Sequence, residues 1–352
     1  MVRRVEAWEE TGELKFEHLE RLAEKTHTPV GYFFLPEPPA TELTISDLRR
    51  VAGEGPQPPS PELIDTVSQC QLRQQWFREH LIAEGAEPLN WVGSANLDTA
   101  PVSIALAIRA ALQLDRRPLS MNWTEAVRSL YQRAEELGVL VARNGVVGNN
   151  THRKLRVEEF RGFALSDRYA PLVFINAGDS KAAQMFTLVH ELCHLWLGQS
   201  AVSDGDPTTN VATERFCNAV AAEALAPASE FLAAWDPAVP LSELTARLAR
   251  LFKVSTLVVL IRAREAGLLV DDAFKAAYAA ERERVRDIDV KAGGDGGDFY
   301  STQNARLGGR FATAVISSAL EGRTPYTEAF RLLGFKSTAT FDEYARKLGV
   351  LP

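Results

Sequence analysis

The sequence predicts an α+β fold that is mainly helical, with a small three-stranded sheet packed on a helix that carries an H-E-x-x-H motif. Three observations support this prediction. Apolar residues recur at helical spacing through most of the 352 residues. Short apolar runs rich in β-branched residues cluster between residues 138 and 176. The motif, His190 to His194, follows the last of these runs and continues into an apolar stretch that suits a buried helix.

The composition is that of an ordinary globular protein, with 46% hydrophobic and 24% charged residues. The net charge of -7 argues against broad, charge-driven nucleic-acid binding. Three cysteines cannot form a disulfide framework, and the sequence has no signal peptide, so we expect a cytoplasmic protein. The sequence contains no run of eighteen apolar residues, so we expect no membrane-spanning helix.

Helical periodicity and helix breakers divide the chain into three regions. Proline-rich segments at 36–39 and 55–59 interrupt the helical pattern near the N-terminus, and a glycine-rich segment at 293–297 interrupts it near the C-terminus. We expect a helical segment with a linker over residues 1–60, a domain over 61–235 and a helical region over 236–352. The predicted helices are 61–83, 102–114, 123–137, 241–252 and 257–265, with further helices between 300 and 352.

The three predicted strands are short apolar runs bounded by turn residues. They are Gly138–Ala142, Gly162–Leu165 and Leu172–Asn176. A turn after Asn176 leads into the motif helix, which Asp179 or Ser180 can cap.

The motif predicts a catalytic zinc site. Four residues advance a helix by about 400°, so His190 and His194 lie one turn apart on one face. Both imidazoles can bind one Zn²⁺, with Glu214 as the third ligand from a second helix. Glu191 is placed to act as general base on a water at the open fourth position. The competing interpretation is two core histidines with ordinary hydrogen bonds and a surface carboxylate.

Three further residues lie within a turn of these ligands. Asn218 follows Glu214 by four positions, and its amide can fix the tautomer of a zinc-bound histidine. Cys193 and Cys217 are also close enough in sequence for a ligand role. A small buried cysteine is the commoner state, and Cys193 points about 100° away from His194 on the helix.

Several segments together resemble the ImmA/IrrE family of bacterial metallopeptidases. The similar segments span about residues 125–235, and the spacing of the H-E-x-x-H motif and Glu214 also resembles that of thermolysin-like zincins. The resemblance implies a zincin-like domain and a zinc endopeptidase that cuts a cytoplasmic repressor or antitoxin. The segments are Arg161–Ala164, Phe174–Asn176, Phe186–His194, Glu214–Asn218, Ala221–Ala222 and Pro227.

Two segments bear on DNA binding. Residues 5–12, 19–23 and 29–34 resemble the last helices of a Cro/repressor-type helix-turn-helix domain, but without the recognition helix. A helical pair that packs on the peptidase domain fits the same pattern. Residues 248–267 also have helix-turn-helix spacing, but their second helix is too apolar to read a DNA groove. We therefore expect DNA binding to be weak.

The substrate-binding and oxyanion-stabilising residues are less well fixed by the sequence. If Gly162–Leu165 is an edge strand, Arg161, Gly162 and Phe163 would align an extended substrate by β-augmentation. No histidine follows His194, so a downstream histidine cannot stabilise the oxyanion. The candidate oxyanion donors are His152, Arg161, Tyr169 and Tyr300.

A second class of function remains open. The alternative is a non-cleaving transcriptional regulator or toxin-antitoxin component, which acts by binding protein or DNA. The repressor-like N-terminal segment favours this alternative. The presence of Glu191 favours the enzyme, because a scaffold has no need of a general base.

Overall fold

The computed structural model has an α+β architecture that is mainly helical, which confirms the predicted fold class. It describes residues 8, 14–26, 28–37, 45–47, 58–116, 121–203, 211–289 and 299–352. The glycine-rich segment at 293–297 and most of the repressor-like segment at 5–12 lie outside these residues. Among the described helices, none is both long and apolar enough to cross a membrane.

The helices lie close to the positions that hydrophobic periodicity predicts. The predictions for 61–83 and 241–252 match the observed helices at both ends. A short 3-10 helix, Val30–Phe34, follows the first α-helix. The α-helices of the described ranges are α1 (Phe16–Thr26), α2 (Pro61–Ala83), α3 (Pro101–Ala111), α4 (Trp123–Glu136), α5 (Lys181–Trp196), α6 (Ala212–Leu225), α7 (Ala228–Ala234), α8 (Leu241–Phe252), α9 (Thr256–Glu265), α10 (Asp271–Asp289), α11 (Phe299–Leu307), α12 (Gly309–Leu320), α13 (Tyr326–Leu333) and α14 (Thr338–Lys347).

The central sheet has five strands in the described residues, so the prediction of three was too small. The two additional strands have only two and three residues, too few to give an alternating pattern in the sequence. The strands are β1 (Ser46–Asp47), β2 (Leu140–Asn144), β3 (Val146–Val147), β4 (Asn150–Lys154), β5 (Gly162–Leu165), β6 (Leu172–Asn176) and β7 (Ala201–Ser203). The five-stranded sheet has the order β1-β7-β5-β6-β2, and β3 and β4 form a separate antiparallel hairpin.

Strand β5 is an interior strand, which corrects the expectation that it lies at an edge. It pairs antiparallel with β6 on one side and with β7 on the other. Its backbone groups are therefore used within the sheet, and Arg161, Gly162 and Phe163 cannot offer a free edge to a substrate. Strand β7 follows the motif helix and separates β5 from β1, which pairs parallel to β7 through Ser46 and Asp47.

The two faces of the sheet contact different groups of helices because side chains alternate along each strand. Val141, Val173 and Ile175 pack on the face that α5 covers, in one core with α3, α4, α6 and α8. Phe163 and Phe174 belong to the opposite face, where their rings stack at 4.9 Å. Helix α2 and the C-terminal helices α12 to α14 cover that second face.

Gly162 lets the sheet approach α5 closely. A β-carbon at this position would lie 2.6 Å from Cγ2 of Thr187, 2.8 Å from the carbonyl oxygen of Phe174 and 3.3 Å from Oε1 of Glu191. The first two distances are shorter than real β-carbon contacts, and one partner is backbone that cannot rotate away. A glycine is therefore required where β5 crosses the motif helix.

The Gly162→Ala substitution is expected to destabilise the protein by about 1–3 kcal/mol, because the added methyl group overpacks the contact between β5 and α5. Chemical denaturation followed by circular dichroism measures this loss. Gly31→Ala is the matched control, because a β-carbon there meets no atom within 4 Å. Its effect should stay below about 1 kcal/mol. Equal stability of the two variants would show that the close approach is not required.

Candidate metal and catalytic site

The motif helix α5 is fixed at its start by a turn and a cap. Asn176 at the end of β6 accepts a hydrogen bond from the Gly178 amide at 3.0 Å, and its side-chain amide donates to the Phe160 carbonyl at 3.1 Å. The hydroxyl of Ser180 accepts from the amide of Ala183 at 3.3 Å, which caps the helix as expected. The following residues are apolar and place α5 in the core.

The structure brings three potential ligand side chains together. Nε2 of His190 lies 3.2 Å from Nε2 of His194. The carboxylate of Glu214 on α6 reaches both rings, with Oε2 at 3.2 Å from His190 Nε2 and Oε1 at 3.0 Å from His194 Nε2. The ligands of a tetrahedral zinc ion with bonds of 2.0–2.1 Å are about 3.3–3.4 Å apart. The two imidazoles and the carboxylate are therefore spaced nearly as one zinc ion requires.

The proton arrangement also favours a cation between these atoms. Nδ1 of His190 lies 3.0 Å from Oδ1 of Asn218, which is an acceptor. If His190 is neutral, its proton is therefore on Nδ1, and Nε2 presents a lone pair to the carboxylate of Glu214. Buried lone pairs that face one another repel unless a proton or a metal ion lies between them. The residues present thus fit a bound metal ion, with Asn218 orienting His190.

Cys217 is the other candidate for a third ligand. Ligand atoms of His190, His194 and Cys217 all lie within 4.8 Å of one another. Burial raises the pKa of the Cys217 thiol well above its usual value, and the neighbouring Cys193 raises it further. A neutral thiol is a poor zinc ligand. The Glu214 oxygens lie 3.0–3.2 Å from the two rings, close to the spacing that zinc requires, which favours the carboxylate as the third ligand.

Glu191 is fully buried beside the ligands. Burial raises its pKa to about 8, and the opposing effects of His190 and the Ser203 hydroxyl are smaller. Within the described residues, neither carboxylate oxygen has a hydrogen-bond partner of good geometry. A carboxyl group whose pKa lies near neutrality can both accept and return a proton, as a general base and acid must.

The electrostatics of the ligand group are dominated by the pairing of Glu214 with the two rings. Burial alone would raise the pKa of Glu214, but His190 and His194 more than offset it and hold the pKa well below its usual range. Burial alone would lower the pKa of His190, but the Glu214 carboxylate more than offsets this effect and raises this pKa to about 9. The pKa of His194 is lowered by burial. Glu214 is therefore an anion in this setting, as a metal ligand must be.

Ser203 is a site residue that the sequence did not indicate. Its hydroxyl lies 3.5 Å from Nε2 of His194 and favours the charged form of Glu191. It belongs to β7, and its carbonyl accepts a hydrogen bond from the Arg161 amide at 3.1 Å. The three residues of β7 form no motif, so only the fold reveals that this strand borders the metal site.

The other predicted site residues are not brought to the metal ligands. His152 is exposed on β4 and lines a cavity on the second face of the sheet. Tyr169 lies in the turn at the Leu165 end of β5, about 10 Å along the strand from Gly162. The side chain of Tyr300 lies outside the described residues. Arg161 is near the site, but its guanidinium donates to Asp179 at 2.8 Å.

The helix-turn-helix candidate at 248–267 is built into the core. Helices α8 and α9 enclose a turn in which Lys253 adopts a left-handed backbone conformation. Arg262 pairs with Glu223 and donates to the carbonyl of Ala226, and Arg264 pairs with Asp271 at 3.1 Å. Both arginines are thus engaged within the fold. Of the repressor-like N-terminal segment, α1 and the 3-10 helix are described, and Leu19 and Ala23 on α1 are buried.

Comparisons with known proteins agree with the motif. Residues 307–347 match a domain of unknown function (DUF8813). No curated protein matches the chain. Residues 134–264 match the IrrE N-terminal-like domain, a peptidase family, and this range contains β2 to β7 and all the ligand candidates. This match supports the assignment of residues 134–264 to the ImmA/IrrE family of metallopeptidases.

Proposed function

We propose that the protein is a zinc endopeptidase that cuts a cytoplasmic regulatory protein, a repressor or antitoxin. The observation that carries this proposal is the set of three ligand groups, two imidazoles and a carboxylate, whose nearest atoms are 3.0–3.2 Å apart. The buried carboxyl group of Glu191 lies beside them, on the helix that carries both histidines. His190, His194 and Glu214 would hold the ion and leave one position open. The choice of substrate rests on the family resemblance.

Glu191 is the proposed general base. A bound zinc ion would lower the pKa of a water molecule and polarise the scissile carbonyl group. Glu191 would accept the proton of the attacking water and deliver it to the leaving amine. Asn218 would keep the His190 ring in the tautomer that binds through Nε2.

The substrate backbone is best accommodated at the outer edge of β7 rather than at β5. Ser203 at the end of this strand borders His194, so a peptide paired with β7 would pass the metal ligands. Ser46 and Asp47 of β1 lie along this edge. Their two residues would have to be displaced before a substrate strand could pair there.

A comparison of protein N-termini in living cells tests the proposal. Cells that express the parent protein or its Glu191→Gln variant are analysed by mass spectrometry for new N-termini. We expect one or a few cleavages in regulatory proteins that occur with the parent only. Identical sets of N-termini would reject the peptidase and favour the non-cleaving regulator.

The isolated protein is expected to form no stable, sequence-specific complex with DNA. Its net charge is -7, and Arg262 and Arg264 are already engaged by carboxylates. Segment 248–267 therefore offers few cations to phosphates, which gives weak binding that falls steeply with salt. A gel-shift titration with the protein's own promoter region in about 0.15 M salt checks this. A discrete complex at nanomolar protein would place the regulator ahead of the enzyme.

A further inference from the structure

A cavity of about 720 Å³ lies on the face of the sheet opposite the motif helix. Its walls come from α2, the β3-β4 hairpin, α11 and the end of α13, with Phe174 of β6 among its lining residues. A volume of this size is typical of small-molecule sites. The metal ligands are not among its lining residues, so this cavity is separate from the candidate peptidase site.

The lining is strongly basic in a chain that is acidic overall. Five lining residues are cations, and within the described chain no lining residue is an aspartate or a glutamate. One of the five, Arg153, is neutralised by Glu62 at 3.1 Å and Asp65 at 2.6 Å. Another, the exposed Arg331, lies 3.8 Å from a Glu328 oxygen. The cations of the cavity are Arg73, Arg153, Arg306, Arg331 and Lys336.

Two of the arginines, both partly buried, are held by neutral groups instead of carboxylates. Arg73 donates through Nε to the carbonyl of Leu332 at 3.1 Å. Arg306 donates to the side-chain oxygens of Asn144 at 3.2 Å and Asn149 at 2.7 Å. Burial lowers the pKa of both guanidinium groups, but arginine stays charged in proteins. These hydrogen bonds orient the guanidinium groups of Arg73 and Arg306. They do not neutralise the positive charges, because the acceptors are neutral oxygens.

Donors without partners also line the cavity. Gln303 is only 1% exposed, and its Nε2 has no hydrogen-bond partner among the described residues. Nη2 of Arg153, whose side chain is only 10% exposed, is likewise buried and has no hydrogen-bond partner among the described residues. A buried donor without a partner costs about 1–3 kcal/mol, which a bound acceptor would recover.

We propose that this cavity binds a small molecule that carries two or more phosphate groups. Arginine forks and free amide donors are the groups that recognise phosphate oxygens. The cavity also contains amides, such as Gln69 and Asn150, and apolar walls that suit a nucleoside. A nucleotide and an inorganic polyphosphate share this chemistry. Helix α13 and the residues after it belong to the DUF8813 match, so this domain would supply part of the site.

Isothermal titration calorimetry on the full chain tests the proposal with three probes: inorganic triphosphate, ATP and adenosine. We expect saturable binding of at least one phosphorylated probe and none of adenosine alone. Tighter binding of ATP than of triphosphate would identify a nucleotide site, and the reverse order would identify a polyphosphate site. The measurement does not depend on peptidase activity, so its failure and that of the proposed function are distinguishable.

Variants locate the binding site. Arg306→Gln should weaken binding about tenfold or more, since a charged hydrogen bond is lost. The double variant Arg331→Glu/Lys336→Glu should weaken binding of the phosphorylated probe similarly. Both residues are exposed, so these changes leave the packing of the core intact. Arg128→Glu, an exposed charge on α4 outside the cavity, should leave affinity unchanged.

Absence of binding by both phosphorylated probes, or binding that none of the cavity variants weakens, would overturn the proposal. So would preferential binding of duplex DNA or RNA that the cavity variants abolish.

Discussion

The Glu191→Gln variant is expected to lose peptide cleavage by about two to four orders of magnitude while it keeps its fold and its metal. Glutamine has nearly the same shape as glutamate, but its amide cannot accept the proton of the attacking water. Glu191 is not among the three residues whose atoms approach one another at the ligand position. The rate of cleavage of a substrate found in the N-terminus comparison, followed by mass spectrometry, measures the loss.

The matched control for this variant is Glu243→Gln, an exposed residue at the start of α8. It removes one carboxylate without touching the site, so its cleavage rate should equal that of the parent protein. Equal rates for the parent and the Glu191→Gln variant would show that Glu191 is not the base. Loss of zinc in the Glu191→Gln variant would show instead that Glu191 helps to hold the metal.

Removal of one ligand is expected to remove the metal. His194→Ala should reduce bound zinc from about one ion per chain to a trace, because two protein ligands rarely hold zinc in a catalytic site. Elemental analysis after gel filtration measures the zinc content, and circular dichroism reports whether the variant folds. Full zinc occupancy in a folded His194→Ala variant would contradict the assignment of this ligand.

A pair of variants then separates the two candidates for the third ligand. Glu214→Gln should weaken zinc binding strongly, because it removes an anionic carboxylate whose two oxygens lie 3.2 Å from His190 Nε2 and 3.0 Å from His194 Nε2. Cys217→Ser should leave zinc content nearly unchanged, because its thiol is held neutral by burial. The opposite pattern would make Cys217 the ligand and Glu214 a neighbouring charge.

The parts of the site that depend on local geometry could be predicted from the sequence. His190 and His194 share a helix, and four residues bring two side chains to one face whatever the tertiary structure is. The position of Asn218 relative to Glu214 follows from the same rule on α6. The long apolar and amphipathic helices were predictable for the same reason, because their periodicity extends over many residues.

The parts that depend on distant pairing could not be predicted. Whether β5 is an edge strand is decided by β7 and β1, which come from residues far away in the chain and contain two or three residues each. Strands of that length carry no measurable alternation. Ser203 was missed for this reason. Tyr169 was considered for the site, although it lies at the far end of β5, because sequence order does not reveal strand direction.

The central claim is that one metal ion is bound by His190, His194 and Glu214. A crystal structure of the zinc-loaded protein, with anomalous diffraction measured on both sides of the zinc absorption edge, tests it most directly. We expect one peak per chain at about 2.0–2.2 Å from Nε2 of each histidine and from a Glu214 oxygen. A peak coordinated by Cys217 instead of Glu214, or the absence of a peak between the two histidines, would contradict the account.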